Sequence, residues 1–116
     1  MDIYHVWCDL KTGVSDLEFT AAAETYLSTL VDDGRMTSFR ITRRKLGLGL
    51  AGLGEFHLML EFQGLAQLDD AFTHVSSRSD PVEAFHHAVN SRVSSVSFAL
   101  YRDFPDEQRK TGEEKF

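Results

Sequence analysis

The sequence predicts an α+β fold, with four antiparallel strands in one sheet and the helices packed on one of its faces. Two segments, Ile3–Leu10 and Glu55–Phe62, alternate in character with a period of two, which is typical of strands with two different faces. Elsewhere apolar residues recur at helical spacing, and capping patterns indicate where helices begin. The predicted order of elements is β-α-β-β-α-β.

The first predicted helix follows the first strand. Ser15, with Glu18 three residues later, forms a capping-box pattern, so the helix is expected to begin at Ser15 and to continue to about Val31. The Asp-Asp-Gly sequence of residues 32–34 ends it. A second strand is predicted at about Met36–Lys45, where apolar and polar residues again alternate.

A loop rich in glycine and leucine, Gly47–Gly54, joins the second strand to the third. If these strands form a hairpin, matching their faces puts Arg44 near His57 and Arg40 near Glu61, within a residue or two. Glycine-rich phosphate-binding loops lie between a strand and a helix, whereas this loop leads into a strand. We therefore expect it to cover a pocket or to cross to a partner.

The second helix is predicted in two parts. Apolar residues at helical spacing mark Leu65–Val75, and the helix restarts with Asp80 as N-cap and Pro81 at the first helical position, ending near Arg92. The last strand is predicted at about Val93–Tyr101. Its residues expected to face the core are Val96, Phe98 and Leu100.

These elements form the ferredoxin-like arrangement, in which one face of the four-stranded sheet is free of helices. One domain is expected over residues 1–105, followed by a polar C-terminal tail over residues 106–116. The free face measures about 400 Å², less than the roughly 800 Å² that each partner contributes to a standard interface. We therefore expect a homodimer that pairs through the sheet face and the Gly47–Gly54 loop, with the tail adding area.

Five segments carry a resemblance to a known family: YHVWCDL, ITRRKLGLG, LGEFHLML, DPVEAFHHAVN and FALYRDFPD. On these segments, over about residues 1–105, the chain resembles the dimeric α/β-barrel superfamily, and within it a small bacterial family of unknown function. The superfamily includes small monooxygenases, muconolactone isomerases and haem-degrading monooxygenases. The resemblance implies a homodimer with pockets between helices and sheet or inside the barrel. It carries over no catalytic residue set.

The candidate site residues share the open face of the sheet. His5 and His57 are the candidate catalytic residues, because a neutral imidazole accepts a proton. The candidate ligand-binding residues are Trp7, Asp9, Arg40, Arg44, Met59, Glu61 and Tyr101. The tryptophan and methionine would form an apolar wall, and the arginines would hold an anionic group.

The same residues also fit two other interpretations. One is a polar dimer interface, with Arg40 and Glu61 as an ion pair and the histidines hydrogen-bonded across the two-fold axis. The other is a metal site with nitrogen and oxygen ligands, supplied by the two histidines and two carboxylates of this face. Adjacent His86 and His87 cannot chelate one ion together, because neighbouring helix positions point about 100° apart; His86 flanks the apolar stripe of its helix.

Composition narrows the classes of function. A net charge of −6 argues against nucleic-acid binding, which needs clustered positive charge. The single cysteine, Cys8, excludes an internal disulfide and is expected to be a buried apolar residue. The N-terminus lacks a targeting pattern, and no apolar stretch is long enough to span a bilayer, so we expect a cytoplasmic protein without membrane contact. No cofactor is expected.

The sequence supports three hypotheses of function. The first is a homodimer that binds a small aromatic or acidic molecule in a pocket on the open sheet face. The second is a cofactor-independent monooxygenase or isomerase, in which His5 or His57 accepts a proton and Arg40 or Arg44 stabilises the resulting oxyanion. The third is a non-catalytic structural or interaction dimer.

Overall fold

The computed structural model describes residues 1–107 and has the predicted order of elements. They are β1 (Asp2–Leu10), α1 (Asp16–Asp32), β2 (Ser38–Arg43), β3 (Phe56–Phe62), α2 (Leu65–Ser76), α3 (Val82–Asn90) and β4 (Val93–Arg102). The strands form one antiparallel sheet in the order β2-β3-β1-β4, and α2 and α3 are the two parts of the predicted split helix. The predicted α+β fold is confirmed. No helix in the described part of the chain is long and apolar enough to cross a membrane.

Helix α1 is bounded by the residues that the sequence indicates. The Ser15 hydroxyl oxygen accepts a hydrogen bond from the Glu18 backbone N–H at 3.0 Å. At the other end Asp33 is the C-cap, and Gly34 follows with a φ of 74°, a conformation that glycine adopts without steric cost.

The predicted start of the second half-helix is wrong by one residue. Helix α3 begins at Val82, and Pro81 rather than Asp80 occupies the N-cap position. The Glu83 backbone N–H donates to the Ser79 carbonyl at 3.0 Å, so residues 79–83 form a turn that leads into the helix.

The core lies between the helices and one face of the sheet. Phe19 and Leu27 of α1 are buried against this face, together with Phe56 and Phe62 of β3. The rings of Phe19 and Phe56 are 5.1 Å apart. Along β3 every second residue is buried and the others stay partly exposed, as the period of two predicts.

The apolar face of β4 is the main difference from the sequence prediction. Val96, Phe98 and Leu100 lie on the helix side of the sheet, beside Cys8, Val6 and Tyr4, as predicted. They are nevertheless 45%, 57% and 51% exposed, so their assignment to the core is wrong. The reason is that β4 is an edge strand, and α3 packs mainly against α1 instead of covering β4.

The chain beyond β4 is tied back to the sheet as far as it is described. Buried Asp2 forms a two-pronged ion pair with Arg102, whose guanidinium also lies 3.7 Å from Asp106. The Met1 amino group pairs with Asp103 at 3.3 Å. Most of the predicted tail, residues 108–116, lies outside the described residues, so the domain boundary at residue 105 stays a prediction.

Candidate functional site

An aromatic cluster occupies the open face of the sheet. Trp7 and His57 are opposite one another in the β1–β3 register, and their rings stack at 4.4 Å with 10° between the planes. The His5 ring is nearly parallel to both, 5.5 Å from Trp7 and 5.1 Å from His57, and Tyr101 meets it edge-on at 5.1 Å. The structure thus brings together four of the predicted site residues; we call them the open-face cluster.

The two histidines of the open-face cluster share a hydrogen bond. His5 Nδ1 and His57 Nε2 are 2.9 Å apart, so one ring donates and the other accepts. The Thr42 hydroxyl donates to the His57 carbonyl at 2.7 Å and fixes the backbone there. Partial burial lowers the pKa of His57, and the neighbouring His5 lowers it further. A neutral His57 has the property required of a proton acceptor.

Three other predicted ligand-binding residues already have partners within the fold. Asp9 accepts from the Glu55 backbone N–H at 2.9 Å and from the Ser95 hydroxyl at 3.2 Å. Glu61 accepts from the Ser38 hydroxyl at 2.8 Å. Arg44 donates to the Leu53 carbonyl at 2.7 Å, which fastens the Gly47–Gly54 loop to β2.

Arg40 and Met59 are paired across β2 and β3, and Arg40 is exposed. Arg40 is therefore two residues from the position opposite Glu61, which agrees with the expected hairpin register. No ion pair joins Arg40 to Glu61 in the described part of the chain, because Ser38 holds the position opposite the carboxylate.

The Gly47–Gly54 loop covers a small recess beside the open-face cluster. The recess has a volume of about 180 Å³ and is lined by Trp7 and His57 on the sheet and by Leu48 and Leu50 on the loop. Pockets for drug-sized ligands usually span about 300–1,000 Å³. The recess is therefore too small for such a ligand, while both leucines remain largely exposed, at 77% and 74%.

A larger cavity lies on the other side of the sheet, between the strands and the helices; we call it the helix-side cavity. Its volume of about 850 Å³ falls within the range of ligand pockets. Its walls are mainly apolar and include Tyr4, Phe72 and the uncovered side chains of Val96 and Phe98. The Tyr4 ring meets Phe72 edge-on at 5.1 Å and stacks on Phe98 at 5.6 Å.

The polar groups of the helix-side cavity come from all three helices and from the α2–α3 turn. Tyr26 of α1 and His86 of α3 both line it, with their ring centroids 5.7 Å apart. Burial raises the pKa of Tyr26 to about 12, so its hydroxyl remains a neutral hydrogen-bond donor at ordinary pH. Arg78, between α2 and α3, lines the cavity as well. Mainly apolar walls with a smaller number of polar groups are the usual composition of a small-molecule site.

Two signals in the sequence indicate the helix-side cavity, although neither identifies it alone. Tyr26 falls irregularly on the apolar stripe of α1, and His86 flanks the stripe of α3. Polar aromatic residues at core-facing positions need a partner for their polar ends. The uncovered flank of β4 depends on where α3 packs, and no local pattern in the sequence reveals it.

Cys8 is an apolar wall residue of the helix-side cavity. It is buried, and burial, with a smaller effect of Asp9, raises the pKa of its thiol to about 11. A thiol that is protonated at neutral pH is a poor nucleophile, which fits the sequence expectation. In residues 1–107, no three His, Cys, Asp or Glu side chains are grouped so that they could hold a metal ion.

Comparison with known families identifies the family of this chain. The model of a family of unknown function, DUF6614, matches residues 1–116, so the chain belongs to that family. No curated protein matches the sequence.

Solved structures share the fold at low sequence identity. A dimeric ferredoxin-like protein of unknown function from Jannaschia sp. CCS1 is 12% identical, with a TM-score of 0.64 over 89% of this chain and 100% of that one. A dabb family protein with a ferredoxin-like fold from Mesorhizobium loti is 17% identical, with a TM-score of 0.61 over 89% and 96%. SnoaB, a cofactor-independent oxygenase from Streptomyces nogalater, is 7% identical, with a TM-score of 0.62 over 90% and 98%. These likenesses confirm the predicted ferredoxin-like fold.

Proposed function

We propose that this member of the DUF6614 family is a homodimer that binds a small, largely apolar molecule in the helix-side cavity. One observation carries the proposal: the apolar side chains of Val96 and Phe98 form a wall of a cavity of about 850 Å³ and are about half exposed. A contiguous exposed apolar surface of this kind is typical of a ligand groove or an interaction site.

Removal of apolar surface from water would supply the binding energy. Each square ångström of apolar surface that a ligand covers contributes about 25 cal/mol. The rings of Tyr4, Phe72 and Phe98 are already in contact, so little side-chain freedom would be lost on binding. The Tyr26 hydroxyl and the His86 ring would orient a polar group of the ligand.

The open face is proposed as the dimer interface. The open-face cluster and the exposed Leu48 and Leu50 lie on this side of the sheet, and together they extend the area available to a second copy. The relative from Jannaschia is described as dimeric, which supports a homodimer here. In this arrangement the two helix layers, and with them the two helix-side cavities, lie on the outside of the dimer.

Two substitutions on β4 test both parts of the proposal. Phe98 and Tyr101 are 57% and 62% exposed, and they lie on opposite faces of the same strand. Phe98→Asp is expected to abolish binding of the neutral dye Nile red and to leave the dimer intact, because it puts a charge in the cavity wall. Tyr101→Asp is expected to produce monomers and to leave dye binding intact. Native mass spectrometry and dye fluorescence measure the two properties separately.

Two results would contradict the proposal. Unchanged dye binding in Phe98→Asp would show that the dye enters elsewhere, and dimer loss in that variant would assign the interface to the helix side. A wild-type protein that is monomeric at micromolar concentration would overturn the assignment of the open face.

The His5–His57 pair supports a second candidate function, proton transfer on the open face. His5 Nδ1 and His57 Nε2 are 2.9 Å apart, and the lowered pKa of His57 favours its neutral form, which can accept a proton from a substrate. SnoaB, with the same fold, is described as a cofactor-independent oxygenase. Native mass spectrometry distinguishes the two sites: a co-purified small molecule that is lost in His57→Ala and kept in Phe98→Asp would favour the open face.

A further inference from the structure

The geometry assigns an anionic head group to the ligand of the helix-side cavity. We infer that the ligand is an amphipathic monoanion, such as a carboxylic acid with an apolar body, and that Arg78 binds its charged group. The inference rests on the proposed function, because it specifies the chemistry of the same cavity.

The lining of the helix-side cavity is less acidic than the chain as a whole. The sequence has 18 acidic and 12 basic residues. The lining has one carboxylate, Glu83, against the guanidinium of Arg78 and the imidazoles of His86 and His87. A cationic ligand would therefore meet mainly basic groups, whereas an anion would meet mainly groups that can donate hydrogen bonds to it.

Arg78 occupies a backbone position at which glycine is normally favoured. It directly follows Ser77, the C-cap of α2, and its φ is 54°. A residue with a Cβ is sterically disfavoured in this left-handed conformation, which is why helices so often end with glycine there. The chain has an arginine instead. Residues held in disfavoured conformations are concentrated at ligand sites, so a function of the side chain would account for it.

The guanidinium of Arg78 is available for a ligand. The other arginines on the helix side of the sheet are engaged: Arg35 with Asp70, Arg43 with Asp16 and Glu55, Arg92 with Glu18, and Arg102 with Asp2. Within residues 1–107, no ion pair involves Arg78. A planar guanidinium can donate two parallel hydrogen bonds to one carboxylate, which is the strongest common form of this contact.

The remainder of the cavity fits the apolar part of such a molecule. Phe72 and Tyr4 form one aromatic corner, and Val96 and Phe98 form the uncovered wall along β4. A ligand that places its charged end at the α2–α3 turn can therefore cover the apolar wall with its body. This division of the cavity predicts that the charged end and the apolar body contribute separately to affinity.

A competition experiment with two matched probes tests the inference. Decanoate and decan-1-ol have the same chain length and differ in head-group charge, and each is titrated against protein-bound Nile red. In Arg78→Gln, the decanoate concentration needed for half-displacement should rise about tenfold, the effect of losing one charge-assisted contact, while that of decan-1-ol should not change. Arg78→Lys should restore part of the affinity for decanoate, because it retains the charge.

Controls separate failure of the inference from failure of the proposed function. Lys11→Gln removes one exposed positive charge from the β1–α1 connection, and it should leave both displacement curves unchanged. Equal shifts for the two probes in Arg78→Gln, or no shift for either, would overturn the anion assignment while leaving the cavity as a binding site. Absence of Nile red binding to the wild-type protein, or no displacement by either probe, would overturn the proposed function and this inference with it.

Discussion

The exposed position of Phe98 leads to a quantitative prediction about stability. Phe98 and Phe62 are both phenylalanines on the helix side of the sheet, but Phe98 is 57% exposed whereas Phe62 is fully buried. Complete burial of a phenylalanine side chain is worth about 1.5–3 kcal/mol. Less than half of the Phe98 side chain is covered, which corresponds to about 1 kcal/mol, and stacking on Tyr4 adds about 0.5–1.5 kcal/mol.

We therefore expect Phe98→Ala to lower the free energy of unfolding by about 2 kcal/mol. Phe62→Ala should lower it by about 3–5 kcal/mol, because it also leaves a cavity in a packed core. Urea denaturation of both variants, at one protein concentration so that self-association contributes equally, measures the difference.

The two variants are matched in chemistry, so their comparison reports how well each site is covered. A loss for Phe98→Ala as large as that for Phe62→Ala would mean that β4 is covered in solution on its helix side. The wall of the helix-side cavity would then not be free for a ligand, and the reasoning behind the proposed function would fail.

Three further predictions concern single positions. Arg78→Gly should raise the free energy of unfolding by about 1 kcal/mol, because glycine relieves the left-handed strain; unchanged or lower stability in urea denaturation would contradict this. The pKa of His57 is lowered in the folded state, so the unfolded chain binds more protons than the folded chain below about pH 6.5. The free energy of unfolding should therefore fall as the pH drops from about 6.5. Urea denaturation of His57→Gln at several pH values should show a smaller fall. Leu50→Asp should raise the dissociation constant of the dimer at least tenfold, as measured by analytical ultracentrifugation. Leu17→Asp, at a similarly exposed leucine of α1, should leave it unchanged. Equal effects of the two substitutions would exclude a specific role for the Gly47–Gly54 loop.

Local patterns in the sequence are sufficient to predict most of the fold. The alternation of β3 predicts its two faces, and the Ser15 cap predicts the start of α1, because both depend on neighbouring residues alone. The hairpin register is predicted within two residues for Arg40, because the strand faces must match across β2 and β3. The position of α3 relative to β4 depends instead on which helix or strand α3 packs against, and the sequence of α3 does not specify that element.

The sequence predicts the candidate site only where the face of a strand on which a side chain lies determines its neighbours. Strand alternation places His5, Trp7, His57 and Tyr101 on one face, and the structure brings their rings into contact. The roles of Asp9 and other polar residues on that face are different: they bond to backbone and side-chain groups that become neighbours only in the folded sheet.

The two faces of the sheet are suited to different kinds of binding, because their exposed side chains have different interactions within the fold. On the open face, several polar side chains bond to one another or to the backbone, and the exposed Leu48 and Leu50 lie beside them, which suits contact with a second copy. On the helix side, apolar side chains of β4 border a cavity whose polar groups include the guanidinium of Arg78, which forms no ion pair within residues 1–107. A concave, mainly apolar surface with one guanidinium and one carboxylate in its lining can discriminate between small molecules by both shape and charge. The helix side therefore carries the features that specific small-molecule binding requires, and dimerisation through the open face would leave them accessible.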